Sequence, residues 1–383
     1  MTISMEKLGE VSEIIAGQSP PSSTYNQNGE GLPFYQGKAD FGVWFPKTRM
    51  WCSVPVKISQ PGDVLISVRA PVGPTNLCQE TSCIGRGLGA IRAKPKKLDS
   101  LYLIHFLRSH ESKIASLGRG STFSAITRGD LEDIEIPLPP LAEQKRIAAI
   151  LDKTDAIRRK LQQSLRLSDD FLRSVFLDMF GDPVTNPQGW PIVTIRDLLV
   201  ATAYGTSKKA SEAEGEFPCL RMNNITYSGG WNFASLKYVD LDKNEQSKNL
   251  IHAGQLLFNR TNSKELVGKT AVYRRKEPMA FAGYLVRGIA NDESDTEYIS
   301  AFLNLPHGKA ILKGMCKNII GMANINAEEF KSIKIPKPPV ALQRRFAKIV
   351  HSTEQKKKTL GKFLAESETL FSSFQQRAFR GEL

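Results

Sequence analysis

One segment of the sequence occurs twice, and this repeat strongly constrains the fold. Residues 134–151 read IEIPLPPLAEQKRIAAIL, and residues 333–350 read IKIPKPPVALQRRFAKIV. When the two are aligned without a gap, at an offset of 199 residues, ten of the 18 positions are identical. Self-similarity at a long, fixed period indicates an internal duplication. The chain is therefore predicted to contain two copies of one module.

Weaker similarity extends to the N-terminal side of each copy. The segment QPGDVLISVR at 60–69 resembles HAGQLLFNR at 252–260, and both end on an arginine, Arg69 and Arg260. The segment GLPFYQGKADF at 31–41 resembles EFPCLRMNNIT at 216–226, with Pro33 aligned to Pro218. Because these matches keep their order along the chain, one duplication explains them all.

Each copy divides into a variable front part and a more similar back part. The fronts, residues 1–140 and 184–339, are rich in Gly, Pro, Asn and Ser and contain short apolar runs, which favours strands joined by loops. The predicted strands are Val64–Val68, Ala90–Ala93 and Leu256–Asn259, and the predicted helices are Leu101–Arg108 and Glu297–Leu303. The fronts are therefore predicted to be two compact α+β domains.

The back parts, residues 141–183 with a linker and residues 340–383, are predicted to be long helices. Prolines are tolerated just before a first helical turn, so Pro139 and Pro140 place a helix start at Leu141. Gly181 ends this helix after Phe180, which gives a length of about 60 Å for 40 residues. The second helix is predicted to stop at Gly381.

Apolar residues recur at spacings of three and four along both segments, which predicts one apolar stripe on each helix. Long helices with a single stripe usually pair as a coiled coil, and an antiparallel pair relates the two copies by a pseudo-twofold axis. The stripe residues are Ile147, Ile150, Leu151, Ile157, Leu161, Leu165, Leu172, Val175 and Met179 in the first helix, and Phe346, Ile349, Val350, Leu360, Phe363, Leu364, Leu370, Phe371 and Phe374 in the second.

Charge and composition narrow the choice of partners. The formal net charge is +13, an excess that favours a polyanionic partner such as nucleic acid. The five cysteines are scattered and are expected to be reduced thiols of a cytoplasmic protein. The sequence has neither an apolar run long enough to span a membrane nor the apolar core of a signal peptide, so no membrane association is expected.

Motifs for catalysis are missing from the sequence. The VGKT at 267–270 lacks the preceding glycine of a phosphate-binding loop, because Ser263 occupies that position. The SPPS at 19–22 resembles a methyltransferase motif, but Ser22 replaces its aromatic residue. The EQK at 143–145 fits the end of a nuclease motif but falls on the long helix. The five histidines show no metal-ligand spacing, so neither a catalytic nor a metal site is predicted.

The order of these parts resembles the specificity subunit of type I restriction–modification enzymes. The resemblance covers nearly the whole chain: a variable domain, the IPLPPLAEQKRIAAIL helix, the MFGDPVTNPQGWP linker, a second variable domain and the QRAFRGEL ending. The second copy departs from the helix motif at Lys337, Val340 and Leu342.

The resemblance implies a complex of several subunits, each with its own role. Two target-recognition domains each read half of a split site in double-stranded DNA, and the paired helices set the gap between the halves. The helices also dock two adenine-N6 methyltransferase subunits, which restriction subunits then join. The chain itself is implied to be non-catalytic and to bind no cofactor, because S-adenosylmethionine, ATP and Mg are used by the partner subunits.

Base-reading residues are predicted in matching loops of the two fronts. Arginine pairs well with guanine, and asparagine or glutamine with adenine, when they follow a strand whose end can reach a DNA groove. The predicted DNA-binding residues are Tyr35, Gln36, Lys38 and Arg69 in the first front, and Arg221, Asn223, Asn224, Asn259, Arg260, Asn262 and Lys264 in the second. Some of them could instead form turns or contact phosphates.

Partner contacts are predicted on the outer face of the first helix, at Arg146, Arg158 and Arg159. One alternative remains open: a non-catalytic coiled-coil adaptor that binds proteins only. Such an adaptor should concentrate its polar side chains on the helices, whereas a DNA reader should carry basic and amide side chains in the front loops. A second rival, a fused restriction–methylation enzyme, is opposed by the missing motifs.

Overall fold

The computed structural model describes residues 4–119, 124–316 and 322–383. The chain divides into two compact units: unit 1 comprises Met1–Gln162 and Lys362–Leu383, and unit 2 comprises Gln163–Gly361. The boundaries fall inside two long helices, so each helix contributes one segment to each unit.

Unit 1 is built on an antiparallel four-stranded sheet and a mixed five-stranded sheet. In spatial order, the four strands are Ser12–Ala16, Leu88–Ala93, Val64–Ser67 and Thr75–Leu77, and the five are Tyr25–Asn26, Trp51–Cys52, Leu32–Tyr35, Ser82–Ile84 and Ile58–Ser59. Met5–Lys7 pairs with Glu135–Pro137. The short helices are Leu8–Val11, Ser100–Ser109, Glu111–Ser116 and Arg128–Glu132.

Unit 2 repeats this plan. Its antiparallel sheet consists of Leu199–Tyr204, Leu285–Ala290, Leu256–Asn259 and Thr270–Val272, and its mixed sheet consists of Lys237–Val239, Phe217–Leu220, Met279–Phe281 and Leu250–Ile251. Ile192–Thr194 pairs with Lys334–Pro336, and Thr261–Asn262 pairs with Ala323–Asn324. The short helices are Lys243–Asn249, Thr296–Asn304, Pro306–Met315 and Ala327–Lys331.

The strand order of the antiparallel sheet is the same in both units, which confirms the predicted duplication of an α+β module. The three predicted strands are present, with ends that differ by no more than two residues. The two predicted short helices each extend one residue further at both ends.

The two long helices are Leu141–Phe180 and Val340–Arg380, and the first has the predicted bounds. In unit 1 the guanidinium of Arg158 lies 5.1 Å from the Phe371 ring centre, and Gln162 Nε2 donates to Glu368 Oε1 at 3.4 Å. Contacts thus move toward lower numbers in the second helix as they advance along the first. The segments run antiparallel, as predicted.

The same pairing is present in unit 2. Lys357 Nζ lies 2.6 Å from Asp169 Oδ1, and the ring centres of Phe176 and Phe346 are 5.6 Å apart. Phe176 and Phe346 are both 1% exposed and belong to the main core of this unit. The helix segments are therefore part of the core of the unit. Among the described residues, no helix combines the length and apolarity that crossing a membrane requires.

The predicted stripes need a correction at three positions. The exposed residues are Ile157 (54%), Phe363 (53%) and Leu370 (49%). Ile157 follows Leu151 by six residues, and at about 100° per residue it points about 120° away from the buried face. Phe176 and Phe180, which the predicted stripe omitted, are 1% and 4% exposed and supply the core instead.

A buried glutamine joins each front domain to its long helix. In unit 1 the Gln144 side chain is fully buried. Its Oε1 accepts from the Asp99 backbone N–H at 2.9 Å, and its Nε2 donates to the carbonyls of Lys97 and Pro139, both at 2.9 Å. The amide therefore ties the start of helix Ser100–Ser109 to the first turn of the long helix.

Unit 2 contains the matching contact. Gln343 is fully buried, its Oε1 accepts from the Asp295 backbone N–H at 3.0 Å, and its Nε2 donates to the Pro338 carbonyl at 2.8 Å. This contact explains why glutamine is retained at both positions of the repeat.

A buried tyrosine strengthens the same junction in each unit. Tyr102 donates its hydroxyl proton to the Pro137 carbonyl at 2.8 Å, and Tyr298 donates to the Pro336 carbonyl at 2.7 Å. Burial raises the pKa of both tyrosines above the ordinary value. The proline-rich segment therefore stops the strand before the helix and also supplies carbonyl acceptors.

Candidate nucleic-acid interface

In unit 2 a cleft opens where several loops leave the sheets. Its described lining residues include five cationic side chains and no acidic one. The cations are Lys208, Lys209, Arg221, Lys237 and Arg260. Carboxylates outside the lining pair with two of them, since Lys208 Nζ lies 2.5 Å from Glu245 and Lys237 Nζ lies 3.2 Å from Glu212. The surface of the cleft is nevertheless predominantly basic, as an interface for phosphates requires.

Arg260 is held in place within this cleft. It follows strand Leu256–Asn259, and its Nη2 donates to Asn324 Oδ1 at 3.3 Å. Its guanidinium carbon lies 4.8 Å from the ring centre of Tyr204. Stacking and a hydrogen bond together restrict the side chain, which lowers the entropy that would be lost when it binds a ligand.

Four other predicted residues of unit 2 are partly or fully exposed. Arg221 and Asn223 line the cleft, and Arg221 Nη2 donates to the Ser235 carbonyl at 3.2 Å. Asn262 is half-buried and accepts the backbone N–H of Ser263 at 2.9 Å, and Lys264 is exposed beyond the cleft lining.

Two predicted residues of unit 2 are buried and support the loops from inside. Asn224 is 1% exposed; its Oδ1 accepts from the Arg221 backbone N–H at 2.8 Å, and its Nδ2 donates to the Asn232 carbonyl at 2.8 Å. Asn259 is fully buried, and its side-chain amide forms no hydrogen bond within the described chain. Neither side chain reaches the surface of the cleft.

In unit 1 the equivalent loops carry Gln36, Lys38 and Arg69, all exposed. Tyr35, by contrast, is 2% exposed, and its hydroxyl lies 3.0 Å from Thr48 Oγ1. Burial raises the pKa of Tyr35 to about 12. This tyrosine belongs to the core, so a direct base contact through its side chain would require the sheet to open.

The sheet register corrects one alignment between the units. Leu88 pairs with Ser67 in unit 1, and Leu285 pairs with Asn259 in unit 2. The residue that follows each of these strands is Val68 in unit 1 and Arg260 in unit 2. The Val68 carbonyl accepts the backbone N–H of Ile126, and the Arg260 carbonyl accepts that of Ile325, its equivalent in the repeat. Arg260 therefore corresponds to Val68, and the alignment of Arg260 with Arg69 is one residue out of register.

Four residues that line the cleft were not predicted from the sequence. Lys208, Lys209, Lys237 and Tyr284 line the cleft of unit 2. The segment GTSKK at 205–209 does contain a signal, because its paired lysines form a basic loop directly after a strand. Lys237 and Tyr284 gave no such signal, because only the packing of separate sheets brings them to the cleft.

The predicted partner-binding arginines differ in their surroundings. Arg146 is exposed and pairs with Glu143 on its own helix at 2.7 Å. Arg158 and Arg159 both bind Asp155, at 2.5 and 2.9 Å.

Asp155 itself is buried at 3% exposure and also accepts the indole N–H of Trp44 at 3.1 Å. Burial opposes its ionisation, but the hydrogen bonds from Arg158 and Trp44 and the positive charges of Arg158 and Arg159 together outweigh burial and lower the Asp155 pKa. Arg158 and Arg159 therefore stabilise the contact between a front-domain loop and the long helix. Among the described residues, no group of three or more His, Cys, Asp and Glu side chains could hold a metal ion.

Known proteins resemble this chain over most of its length. The putative type I restriction enzyme MjaX specificity subunit of Methanocaldococcus jannaschii is 45% identical over 168 residues, which are 43% of this chain and 40% of that protein. The type I restriction enzyme EcoKI specificity subunit of Escherichia coli is 27% identical over 312 residues, 76% of this chain and 67% of that protein. The chain thus spans less than half of the first relative and about two thirds of the second.

A solved structure supports the fold. The type I restriction–modification system S subunit from M. genitalium matches 99% of this chain and 96% of its own, with a TM-score of 0.68 and 17% identity. The family described as type I restriction modification DNA specificity domain matches residues 2–167 and 187–364, one match for each copy of the repeat. The chain therefore belongs to the type I restriction–modification DNA specificity family.

Proposed function

We propose that this chain selects a bipartite, asymmetric site in double-stranded DNA, with one half read by each unit and the gap set by the long helices. The observation that carries the proposal is the basic cleft of unit 2, whose loops leave the ends of the sheet strands. The duplicated sheets present equivalent loops in unit 1, but with different side chains. Two different half-sites are therefore expected.

Partner subunits supply the chemistry in this proposal. Two adenine-N6 methyltransferase subunits dock on the helices, and restriction subunits join them. The chain itself is not catalytic and binds no cofactor, while its partners use S-adenosylmethionine, ATP and Mg. Because the substrate is the DNA of the host and of invading elements, the proposed location is the cytoplasm.

The arrangement of charge favours DNA over the protein-only adaptor. The cations of the cleft belong to the front domain, and the guanidinium groups of Arg221 and Arg260 carry the pair of donors that suits guanine. On the first long helix, by contrast, Arg146, Arg158 and Arg159 pair with carboxylates of the same helix. This face of the first long helix therefore carries paired charges of both signs, which suits a protein partner.

Mapping of methylated adenines tests the proposal. The full chain is expressed with its methyltransferase in a host that lacks other modification systems, and genomic methylation is sequenced. A split, asymmetric motif that depends on this chain is expected. A continuous motif, or the same motif without the chain, contradicts the proposal.

Binding at several salt concentrations separates DNA binding from an adaptor role. A Lys209→Ala variant should reduce the slope of log affinity against log salt concentration by about one, because one phosphate contact is lost. Lys160→Ala, an exposed lysine of the long helix, is the matched control and should leave the salt dependence unchanged. If the two variants change the salt dependence of DNA affinity equally, the result favours the coiled-coil adaptor that binds proteins only.

A further inference from the structure

We propose that the ring of Tyr284 contacts the C5 methyl group of a thymine and so specifies one position of the half-site read by unit 2. This inference rests on the proposed function, since it assigns a base to a residue of the DNA-binding cleft. Tyr284 lies in the turn between strands Met279–Phe281 and Leu285–Ala290. It is the one aromatic side chain among the described residues that line the cleft.

The backbone at Tyr284 is held by hydrogen bonds to neighbouring loops. The Tyr284 carbonyl accepts the backbone N–H of Arg260 at 3.0 Å. The preceding residue, Gly283, donates its N–H to the Thr206 carbonyl at 2.8 Å. The Tyr284 backbone is therefore held next to Arg260, whose guanidinium contacts Asn324 and the Tyr204 ring.

The Tyr284 side chain, in contrast, is uncommitted. It is 50% exposed, and its hydroxyl forms no hydrogen bond with any residue that the structure describes. The nearby Tyr204 shows the opposite behaviour, because its hydroxyl accepts the Ala327 N–H at 3.0 Å and its ring lies beneath Arg260. Large aromatic surface left exposed beside cations is available for burial against a ligand.

The shared fold does not require an aromatic residue at this position. Leu285 and Leu88 occupy the same place in the two sheets, so Tyr284 corresponds to Gly87 of unit 1. A Cβ added at Gly87 would lie 2.3 Å from the Gln36 carbonyl oxygen, which excludes any larger residue there. The tyrosine is thus a feature of unit 2 alone, as expected of a residue that distinguishes the two half-sites.

The chemistry of the major groove selects thymine as the base. Thymine presents a methyl group there, which apolar side chains recognise, while arginines recognise guanine in the same groove. The basic residues Arg221 and Arg260 line the same cleft as the tyrosine ring. One surface can therefore read guanine through its arginines and thymine through Tyr284.

Replacement of thymine by uracil provides a direct test, because uracil lacks only the methyl group. The unit 2 half-site is first obtained by selecting a randomised duplex library with the full chain in complex with its methyltransferase. Each thymine of the selected site is then replaced by uracil. Wild-type affinity is expected to fall on the order of tenfold at one position of this half-site.

Variants of the tyrosine identify the residue responsible. Tyr284→Phe should keep the preference for thymine over uracil, whereas Tyr284→Ala should lose it at that position only. Tyr227→Ala is the matched control, because Tyr227 is 55% exposed in the same unit but lies outside the cleft lining. Thermal unfolding of each variant checks that the fold is retained.

Three outcomes overturn the inference while leaving the proposed function intact. The first is that Tyr284→Ala keeps the wild-type preference for thymine, and the second is that Tyr284→Phe weakens binding to all sequences equally, as loss of a phosphate contact would. The third is that the selected half-site has no thymine. If the wild-type complex selects no sequence at all, the proposed function fails and the inference fails with it.

Discussion

Arg260 differs from the other candidate base readers because its guanidinium is held on two sides, by Asn324 and by the ring of Tyr204. A side chain fixed in advance loses little freedom on binding, so it can discriminate strongly between bases. Arg221 shares the cleft but bonds to a backbone carbonyl of its own domain. Arg260 is therefore the first residue to test.

Removal of Arg260 should relax specificity at one position. Arg260→Ala is expected to cost about 1–3 kcal/mol in binding to the preferred site and to leave affinity for unrelated DNA nearly unchanged. Binding to a panel of single-base variants measures both effects. Arg196→Ala, at an exposed arginine paired with Glu328 outside the cleft lining, serves as the control. Uniform weakening for every sequence would instead identify a phosphate contact.

The arginines of the first long helix need different tests. Arg158→Glu should destabilise the protein by roughly 2–3 kcal/mol, since it places a second carboxylate against the buried Asp155. Arg146→Glu should have little effect on stability, because Arg146 is exposed and pairs only within its helix. Chemical denaturation of the two variants compares them directly.

A docking experiment should therefore use Arg146. If Arg146→Glu weakens assembly with the methyltransferase while the melting temperature is unchanged, the predicted contact is supported. If assembly is unaffected, Arg146 is not part of that interface. Loss of assembly in Arg158→Glu would carry little meaning, since its fold is expected to be weakened.

At the scale of secondary-structure elements, the junction between front domain and long helix depends on one buried amide in each unit. Gln144→Leu and Gln343→Leu keep the side-chain volume but leave the N–H of Asp99 or Asp295 without its acceptor. Each unpaired buried group costs about 1–3 kcal/mol, so each variant should lower the free energy of unfolding by at least that amount. The exposed Gln163→Leu is the control, and equal melting temperatures for all three would contradict this role.

A second element-scale contact is sensitive to pH. In unit 2, Glu297 of helix Thr296–Asn304 is 4% exposed and accepts hydrogen bonds from Arg274 and from His351 of the second long helix, the latter at 3.0 Å. The hydrogen bond to Glu297 raises the His351 pKa. Arg274, which lowers this pKa, and Asp295, which raises it, also face the histidine.

Because the folded-state pKa is raised, the stability from His351 is fully present below its unfolded value of about 6.5 and is lost as pH rises through the folded value. The contribution should be below about 1 kcal/mol, since the imidazole is largely exposed. Melting temperatures between pH 6 and 9 should fall less steeply in His351→Gln than in the wild type. The same slope in both proteins would assign the pH dependence to other groups.

At the scale of the whole molecule, the long helices are expected to set the gap of the DNA site. Seven residues inserted into each helix, after Gln162 and after Gly361, keep the apolar stripe in phase and add about 10 Å, or about three base pairs. The methylated motif should keep both half-sequences and gain about three positions between them. A changed half-sequence with the original gap would refute the role of the helices as spacers.

Much of the architecture could be predicted from the sequence because it depends on local rules. Pro139-Pro140 and Gly181 delimit the first long helix, and the offset of 199 residues indicates two copies before any contact is known. Short strands were recognisable where an apolar run was bounded by turn residues. Helix ends and repeats depend on residues close in sequence or on sequence identity, so they can be predicted from one sequence.

Which side chains reach the surface depends on long-range packing. Tyr35, Asn224 and Asn259 are polar side chains at or just after strand ends, yet each is buried. Lys237 and Tyr284, which no motif marked, reach the cleft because separate sheets meet there. Within a strand, neighbouring side chains face opposite sides of the sheet, so a register difference of one residue exchanges a buried side chain for an exposed one. Such register depends on long-range pairing, which local sequence does not encode.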